Sequence, residues 1–347
     1  MTKVYVGMSG GVDSSLSAAL LKEQGYDVTG VYMKNWTQDL PGMRCPWADD
    51  LADAKRVAVQ LGIDFKVFDF ENEYKHKVVN YMIEEYKLGR TPNLDIMCNQ
   101  EVKFKLFLEA ALEDGADMIA TGHYAQVEHG VLQQAKDANK DQTYFLYRVT
   151  GQALAKTLFP LGGFTKPEVR EMAKERGLFT AGKKDSQGIC FVGKIGIREF
   201  LSQYVEQKSG KIIDKKTGKE LGMHDGAIFY TLGQRHGLDV GGGLPYYVVG
   251  KDMDKNEVYV TTDLQDDTLW KKNIELSSVH WINEAPVDGE FTIRVRHRAP
   301  LIKARLQSQP NKVAVLVLDE PERAVTAGQS IVIYDGDVCL GGGIVAL

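Results

Sequence analysis

Two groups of residues in this sequence carry chemistry by type and spacing. The first is Ser9-Gly10-Gly11-Val12-Asp13-Ser14, set between the apolar run Lys3 to Met8 and a stretch with Leu16, Ala19 and Leu20 at helical spacing. A glycine loop between a strand and a helix offers backbone N–H groups at the positive end of the helix, and Gly7, Gly10 and Gly11 let a phosphate approach closely. Ser9 and Ser14 add hydroxyl donors, and Asp13 adds a carboxylate suited to a hard cation such as magnesium. The loop holds no lysine and the pattern G-x-x-x-x-G-K-S/T is absent, which disfavours γ-phosphoryl transfer. The second group is the cysteines, Cys45, Cys98, Cys190 and Cys339, which form no C-x-x-C pair and so spell neither a zinc ribbon nor a disulfide scaffold. Cys98 follows Asn93-Leu94-Asp95-Ile96-Met97 and is expected at the start of a helix over about Asn99 to Glu113, where the helix dipole favours thiolate. Cys190 lies in Asp185-Ser186-Gln187-Gly188-Ile189-Cys190, on a loop expected from Gly182 to Gly193. Cys45 and Cys339 are expected to be small buried hydrophobes.

The elements around these residues alternate between strand and helix. Strands are predicted at Lys3 to Met8, Asp27 to Met33, Phe65 to Phe70 and Met118 to Thr121, with helices at Ser14 to Gln24, Asp49 to Leu61, Tyr74 to Leu88 and Asn99 to Glu113. Repeated β-α units imply an α/β domain with a parallel sheet and helices on both faces. A further helix is expected at Lys166 to Arg176, with Thr165 as N-cap and Gly177 at its end, and another at Ile197 to Val205. The Lys- and Gly-rich stretch Lys208 to Lys219 reads as a domain boundary. Beyond it come strand-like runs at Ala227 to Thr231, Tyr246 to Val249, Glu257 to Thr261, Phe291 to Arg296, Ile302 to Leu306, Ala314 to Leu318 and Ser330 to Tyr334. Three domains are expected, 1–206, 207–273 and 274–347, the second small and mostly β and the third a β-barrel. The runs Gly241-Gly242-Gly243 and Gly341-Gly342-Gly343 precede no helix and read as turns.

The chain has 347 residues, 44% of them hydrophobic and 26% charged, and no apolar run long enough for a membrane span. The start Met1-Thr2-Lys3 has no signal-peptide pattern, and a cytoplasmic location is expected. A net charge of -5 argues against indiscriminate polyanion binding, so any nucleic-acid contact must be regional. The run Arg294, Arg296, His297, Arg298, Lys303, Arg305 is the basic patch that fits phosphate contact.

The motif S-G-G-x-D-S resembles the pyrophosphate-binding loop of the PP-loop ATPases, which adenylate a carbonyl oxygen and expel pyrophosphate. Together with the Cys98 and Cys190 segments, Ala120-Thr121-Gly122-His123-Tyr124-Ala125, Lys140 to Leu146, Tyr230 to Arg235 and Cys339 to Ile344, it makes nearly the whole chain resemble the bacterial tRNA-uridine 2-sulfurtransferases. That resemblance implies an N-terminal adenine-nucleotide α-hydrolase-like domain and ATP-dependent 2-thiolation of the wobble uridine of tRNA. The implied ATP contacts are Gly7, Met8, Ser9, Gly10, Gly11, Val12, Asp13, Ser14, Met33 and Gly122, with magnesium arriving on ATP near Asp13. The implied tRNA contacts are Asn93, Leu94 and Asp95 for the target base, His123, Lys140, Asp141 and Gln142, and Arg296, His297 and Gln329. Cys190 is implied as the persulfide carrier, loaded by a sulfur-donor or relay protein, and Cys98 as the nucleophile. One position departs from the family: Leu94 stands where Asn-Pro-Asp is usual.

Several readings stay open at this level. Persulfide sulfur attacks the activated C2 directly, or Cys98 frees hydrosulfide and pairs with Cys190 as a disulfide. An iron–sulfur cluster on Asp95, Cys98 and Cys190 is a second use of the same atoms. A PP-loop amidotransferase or ligase acting on a small metabolite, or a nucleotide- or RNA-binding module without catalysis, would leave the two cysteines idle.

Overall fold

Val4, Tyr5 and Val6 are fully buried in the computed structural model, on the strand Lys3–Gly7 that forms the middle of a five-stranded sheet. The structure describes residues 1–39, 45–184, 196–238, 240–241, 243–311 and 313–346. Asp27–Lys34 and Met118–Ala120 flank the central strand, Asp64–Asp69 and Thr157–Leu158 lie outside them, and every pairing is parallel. Alternation along the strands sends side chains to two layers of helices. Tyr5, Val31 and Met33 join one core cluster with Phe104 and Phe107, while Val4, Val6 and Tyr32 join another with Ala18, Leu21, Ala54 and Val57. The expected α/β domain with helices on both faces is therefore present.

Helix Val12–Glu23 packs against helix Lys166–Glu175 through Val12, Leu16, Ala19 and Leu20 on one side and Val169 and Ala173 on the other. The second helix starts as its sequence indicates, with a capping box between Thr165 and Glu168, and ends at Gly177 in the left-handed region. Helix Ile197–Leu201 is shorter than expected.

The later β structure differs in detail from the expectation. Gly210–Asp214 and Glu220–His224 are strands that pair as a hairpin over the Lys- and Gly-rich stretch. They join Glu257–Thr261 and Tyr247–Asp252 in a four-stranded sheet. Ala227–Phe229 is a short 3-10 turn instead of a strand. Six antiparallel strands, Trp270–Trp281, Val313–Arg323, Ile302–Gln309, Gly289–Arg294, Ser330–Asp335 and Val338–Val345, close into a barrel when the first pairs with the last. Trp270–Trp281 escaped the sequence reading because register shifts at Lys271/Asn273 and Ser277/His280 break its alternation.

Gly341, Gly342 and Gly343 form no turn but lie inside Val338–Val345. A Cβ on Gly341 would sit 2.9 Å from Trp281, and one on Gly342 would overlap the Ile331 carbonyl, so glycine is needed for the barrel strands to approach.

The barrel is fused to the first domain by hydrogen bonds. The hairpin Gln126–Glu128 and Val131–Gln133 extends the barrel strand Val338–Val345. Beside it, Asp141 is 1% exposed and its carboxylate accepts from Arg294 Nη1 at 2.8 Å, Thr143 Oγ1 at 2.8 Å and the Ala135 amide at 3.1 Å. Tyr144 Oη donates to the Ser330 carbonyl at 2.8 Å. Removing one partner of a buried pair strands the other charge. Asp141→Leu is therefore expected to cost about 3–5 kcal/mol, seen as a lower urea midpoint of unfolding, and adding Arg294→Met should recover a large part of it.

Candidate active site

The loop Ser9 to Ser14 sits at the carboxyl end of the central strand, where the sheet order turns back and open α/β sheets bind ligands. Ser9 N donates to Ser14 Oγ at 3.1 Å, and Ser14 Oγ donates to the Gly11 carbonyl at 3.2 Å, which holds the loop curled over the first turn of Val12–Glu23. Gly10 has φ +72°, and a Cβ there would overlap the Asp50 carbonyl. Met8 and Val12 turn their side chains into core clusters, so these two can offer a ligand only backbone. Met33 is 7% exposed and packs its methyl toward Gly7, where a Cβ would be 2.9 Å away.

Gly122 approaches the loop from the neighbouring strand end. A Cβ on it would lie 2.8 Å from the Ser14 nitrogen and 2.9 Å from the Asp13 carbonyl carbon. The next residue, His123, points the other way, with its ring 5.5 Å from Phe104 and 6.2 Å from Phe159. Thr121 Oγ1 is 2.8 Å from its Nδ1. Burial first, and the nearby Lys103 charge second, hold the His123 pKa well below the ordinary value, so the ring is neutral at neutral pH.

Phe104 belongs to the helix that carries Cys98. That helix begins at Leu94, with Asn93 as N-cap accepting from the Ile96 amide at 3.1 Å, and continues through a wider-turned stretch Asn99–Leu106 into Phe107–Glu113. Cys98 is thus the fifth helical residue rather than the start, and the dipole benefit, confined to the first turn, does not reach it as expected. It is 0% exposed, in the cluster that contains Leu94, Ile96 and Val102. Asp95, three residues earlier on the same helix face, has its carboxyl raised by burial, with Lys103 opposing. Leu94 is 8% exposed and takes up core space. Cys190 lies outside the described residues. Cys45 and Cys339 are buried core thiols, and burial pushes the pKa of each up.

A second feature is a cleft of about 490 Å³ between the domains. Asn93, Arg296, His297 and Gln329, expected together as tRNA contacts, all line it, alongside Gln234 and Arg323. Arg296 Nη2 donates to the Ala324 carbonyl at 3.2 Å, and Gln329 Nε2 to the Val295 carbonyl at 2.6 Å. His297 packs 4.5 Å from the Phe145 ring, and burial, helped by Arg298, lowers its pKa to about 4. The basic run is not one face: Arg294 turns inward to Asp141, and Arg305 meets Glu290 at 3.4 Å. Asp141 belongs to that buried joint and presents no carboxylate to a nucleic acid. Gln142 accepts from the Tyr124 amide at 2.8 Å, and Lys140 beside it is partly exposed.

Several site residues escaped the sequence reading. Asp13 accepts from Lys166 Nζ on both oxygens at 2.7 Å and from Tyr124 Oη at 2.8 Å. Lys183 Nζ donates to the Gly10 carbonyl at 3.1 Å and to Asp50 and Asp53 at 2.8 Å each. These partners stand more than a hundred residues from the loop, so no local motif marks them. Thr165 as N-cap located Lys166 on its helix without indicating where the side chain reaches.

Comparison with known proteins covers the same chain in three pieces. A family model described as tRNA methyl transferase HUP domain matches residues 2–194, one described as tRNA methyl transferase PRC-barrel domain matches 198–262, and one described as aminomethyltransferase beta-barrel domain matches 271–345. The tRNA-specific 2-thiouridylase MnmA of Halalkalibacterium halodurans is 49% identical over 99% of this chain and 94% of its own length. That of Enterococcus faecalis is 48% identical over 99% of this chain and 95% of its own. Through this likeness along its length, the chain belongs to the tRNA-specific 2-thiouridylase family.

Proposed function

We propose that this protein is an ATP-dependent tRNA-uridine 2-sulfurtransferase that thiolates the wobble uridine. The observation that carries the reading is the contact made by two consecutive residues. Gly122 abuts Asp13 and Ser14 of the glycine loop, while His123 packs on Phe104 of the Cys98 helix. Nucleotide loop and nucleophile helix are thereby held in one unit.

The chemistry needs both. Uracil O2 attacks the α-phosphorus of ATP, the bond to the β-phosphate oxygen breaks, and pyrophosphate leaves from the loop. The adenylated O2 then departs as AMP when sulfur adds to C2. Sulfur comes from a Cys190 persulfide loaded by a donor protein: its terminal sulfur is delivered to C2 as the Cys98 thiolate attacks Cys190 Sγ and breaks the S–S bond, leaving a Cys98–Cys190 disulfide that an external thiol reductant returns to two thiols. Because Cys98 is fully buried, the packing around it must open before its sulfur meets the substrate. A wobble base lies in an anticodon loop, where unstacking is cheaper than in a duplex. The cleft with Asn93, Arg296, His297 and Gln329 suits that loop, its two arginines meeting phosphate and its rings meeting bases. Magnesium accompanies the phosphates of ATP. Asp13, held by Lys166 and Tyr124, is not a free carboxylate for it, and among the described residues no cluster of three or more His, Cys, Asp or Glu could hold a metal. No helix among the described residues is long and apolar enough to cross a membrane, and the reading places the enzyme in the cytoplasm with its tRNA.

With ATP, magnesium, a persulfide donor and unmodified tRNA, purified protein is expected to yield 2-thiouridine and AMP in equal amounts. Mass spectrometry finding no sulfur at the wobble base would refute the reading. Cys98→Ser and Cys190→Ser should each abolish thiolation and keep ATP binding; normal turnover by either would remove that cysteine from the mechanism. Gly122→Ala should weaken ATP binding by about 1–3 kcal/mol of overpacking against the loop, measured by calorimetric titration, with the circular-dichroism spectrum unchanged.

A further inference from the structure

The loop sequence lacks the lysine that phosphate-binding loops commonly carry, yet two lysines from distant segments reach it. They are placed differently. Lys166 pairs with both Asp13 oxygens, and its side chain is 10% exposed against 31% for Asp13. It stands behind that carboxylate and orients it. Lys183 is 33% exposed, and its Nζ lies 3.1 Å from the carbonyl of Gly10, the left-handed glycine of the loop. Its main chain is fixed, since the Lys183 amide donates to the Thr180 carbonyl at 2.9 Å and the Lys183 carbonyl accepts from Arg170 at 3.0 Å.

We infer that Lys183 is the phosphate-binding cation of this site, held by Asp50 and Asp53 until the β- and γ-phosphates of ATP replace those carboxylates. The inference rests on reading the loop as an ATP site. The charge inventory supports it: Asp13, Asp50 and Asp53 face Lys166, Lys183 and Arg56, three charges of each sign, so the resting cluster is already balanced and holds an anion only if a carboxylate yields. Asp50 sits in the first turn of helix Trp47–Leu61, whose positive end stabilises it when Lys183 turns away, and Asp53 keeps Arg56 at 3.7 Å. An ammonium on a flexible stem can exchange one oxyanion for another without moving the backbone. As the bond between the α-phosphorus and the bridging oxygen breaks, negative charge grows on the departing pyrophosphate. A cation already at the loop stabilises that growth. Against burial, the hydrogen bonds that Lys183 donates to Asp50 and Asp53 raise its pKa, so the charge is present throughout the neutral range.

Titration of the full chain with magnesium pyrophosphate, magnesium ATP and AMP tests this apart from thiolation. Lys183→Gln is expected to weaken pyrophosphate and ATP about ten- to a hundredfold, the worth of one hydrogen bond to a charged group, and to leave AMP unchanged. Lys183→Arg should retain most of the affinity. Asp50→Asn with Asp53→Asn should tighten pyrophosphate in the otherwise native chain and not in the Lys183→Gln background. Unchanged pyrophosphate affinity in Lys183→Gln, an equal loss for AMP, or no tightening in the Asp50 and Asp53 variant would overturn the assignment. Failure of the native chain to bind either ATP or pyrophosphate would instead overturn the reading of the loop itself.

Discussion

Between residue 122 and the first turn of Val12–Glu23 there is no room for a single methyl group, and much of the site follows from that closeness. A backbone this near the Ser14 amide brings the end of Met118–Ala120 onto the loop. Tyr124, two residues on, then reaches Asp13, and Gln142 reaches Tyr124. The same short segment delivers His123 to Phe104. A side chain at 122 would push these apart together, because interiors this dense transmit a displacement instead of absorbing it.

A second constraint acts at the joint between the first domain and the barrel. Burying Arg294 and Asp141 is costly, and their 2.8 Å pairing offsets the cost only in one relative placement of the two bodies. That placement sets Asn93 opposite Arg296, His297 and Gln329, and so makes the cleft. A hydrophobic contact would tolerate sliding. A buried charge pair with Thr143 and the Ala135 amide on the same carboxylate does not.

The parallel-sheet domain was legible because its signals are local: an apolar strand, a glycine loop, a capped helix. Thr165 and Gly177 marked both ends of one helix correctly. The barrel was less legible, since Trp270–Trp281 carries bulges and the glycines of Val338–Val345 imitate a turn while serving close strand approach. The start of the Cys98 helix, expected near Asn99 and found at Leu94, was misplaced because Asn93, a good N-cap, stood in a segment that looked like a breaker. Lys166 and Lys183 could not be read at all. Their meaning lies in ion pairs spanning 153 and 130 or more residues, which only the folded chain brings about.

The two halves of the proposed chemistry make opposite demands on the protein. Pyrophosphate release wants fixed dipoles and charges, and the loop supplies them from a rigid strand end with backbone contacts on both sides. Sulfur transfer wants a thiol kept from water and oxidants until the base arrives, and Cys98 is fully covered. A wider-turned helical stretch directly after it, Asn99–Leu106, suits this second demand. Such turns lengthen the backbone hydrogen-bond spacing and are frequent at functional sites. Gly122 and His123, with Gly7 against Phe107, join the rigid loop to the helix of the covered thiol, so in the proposed reaction the geometry of activation is held from the strand ends and not from the thiol side.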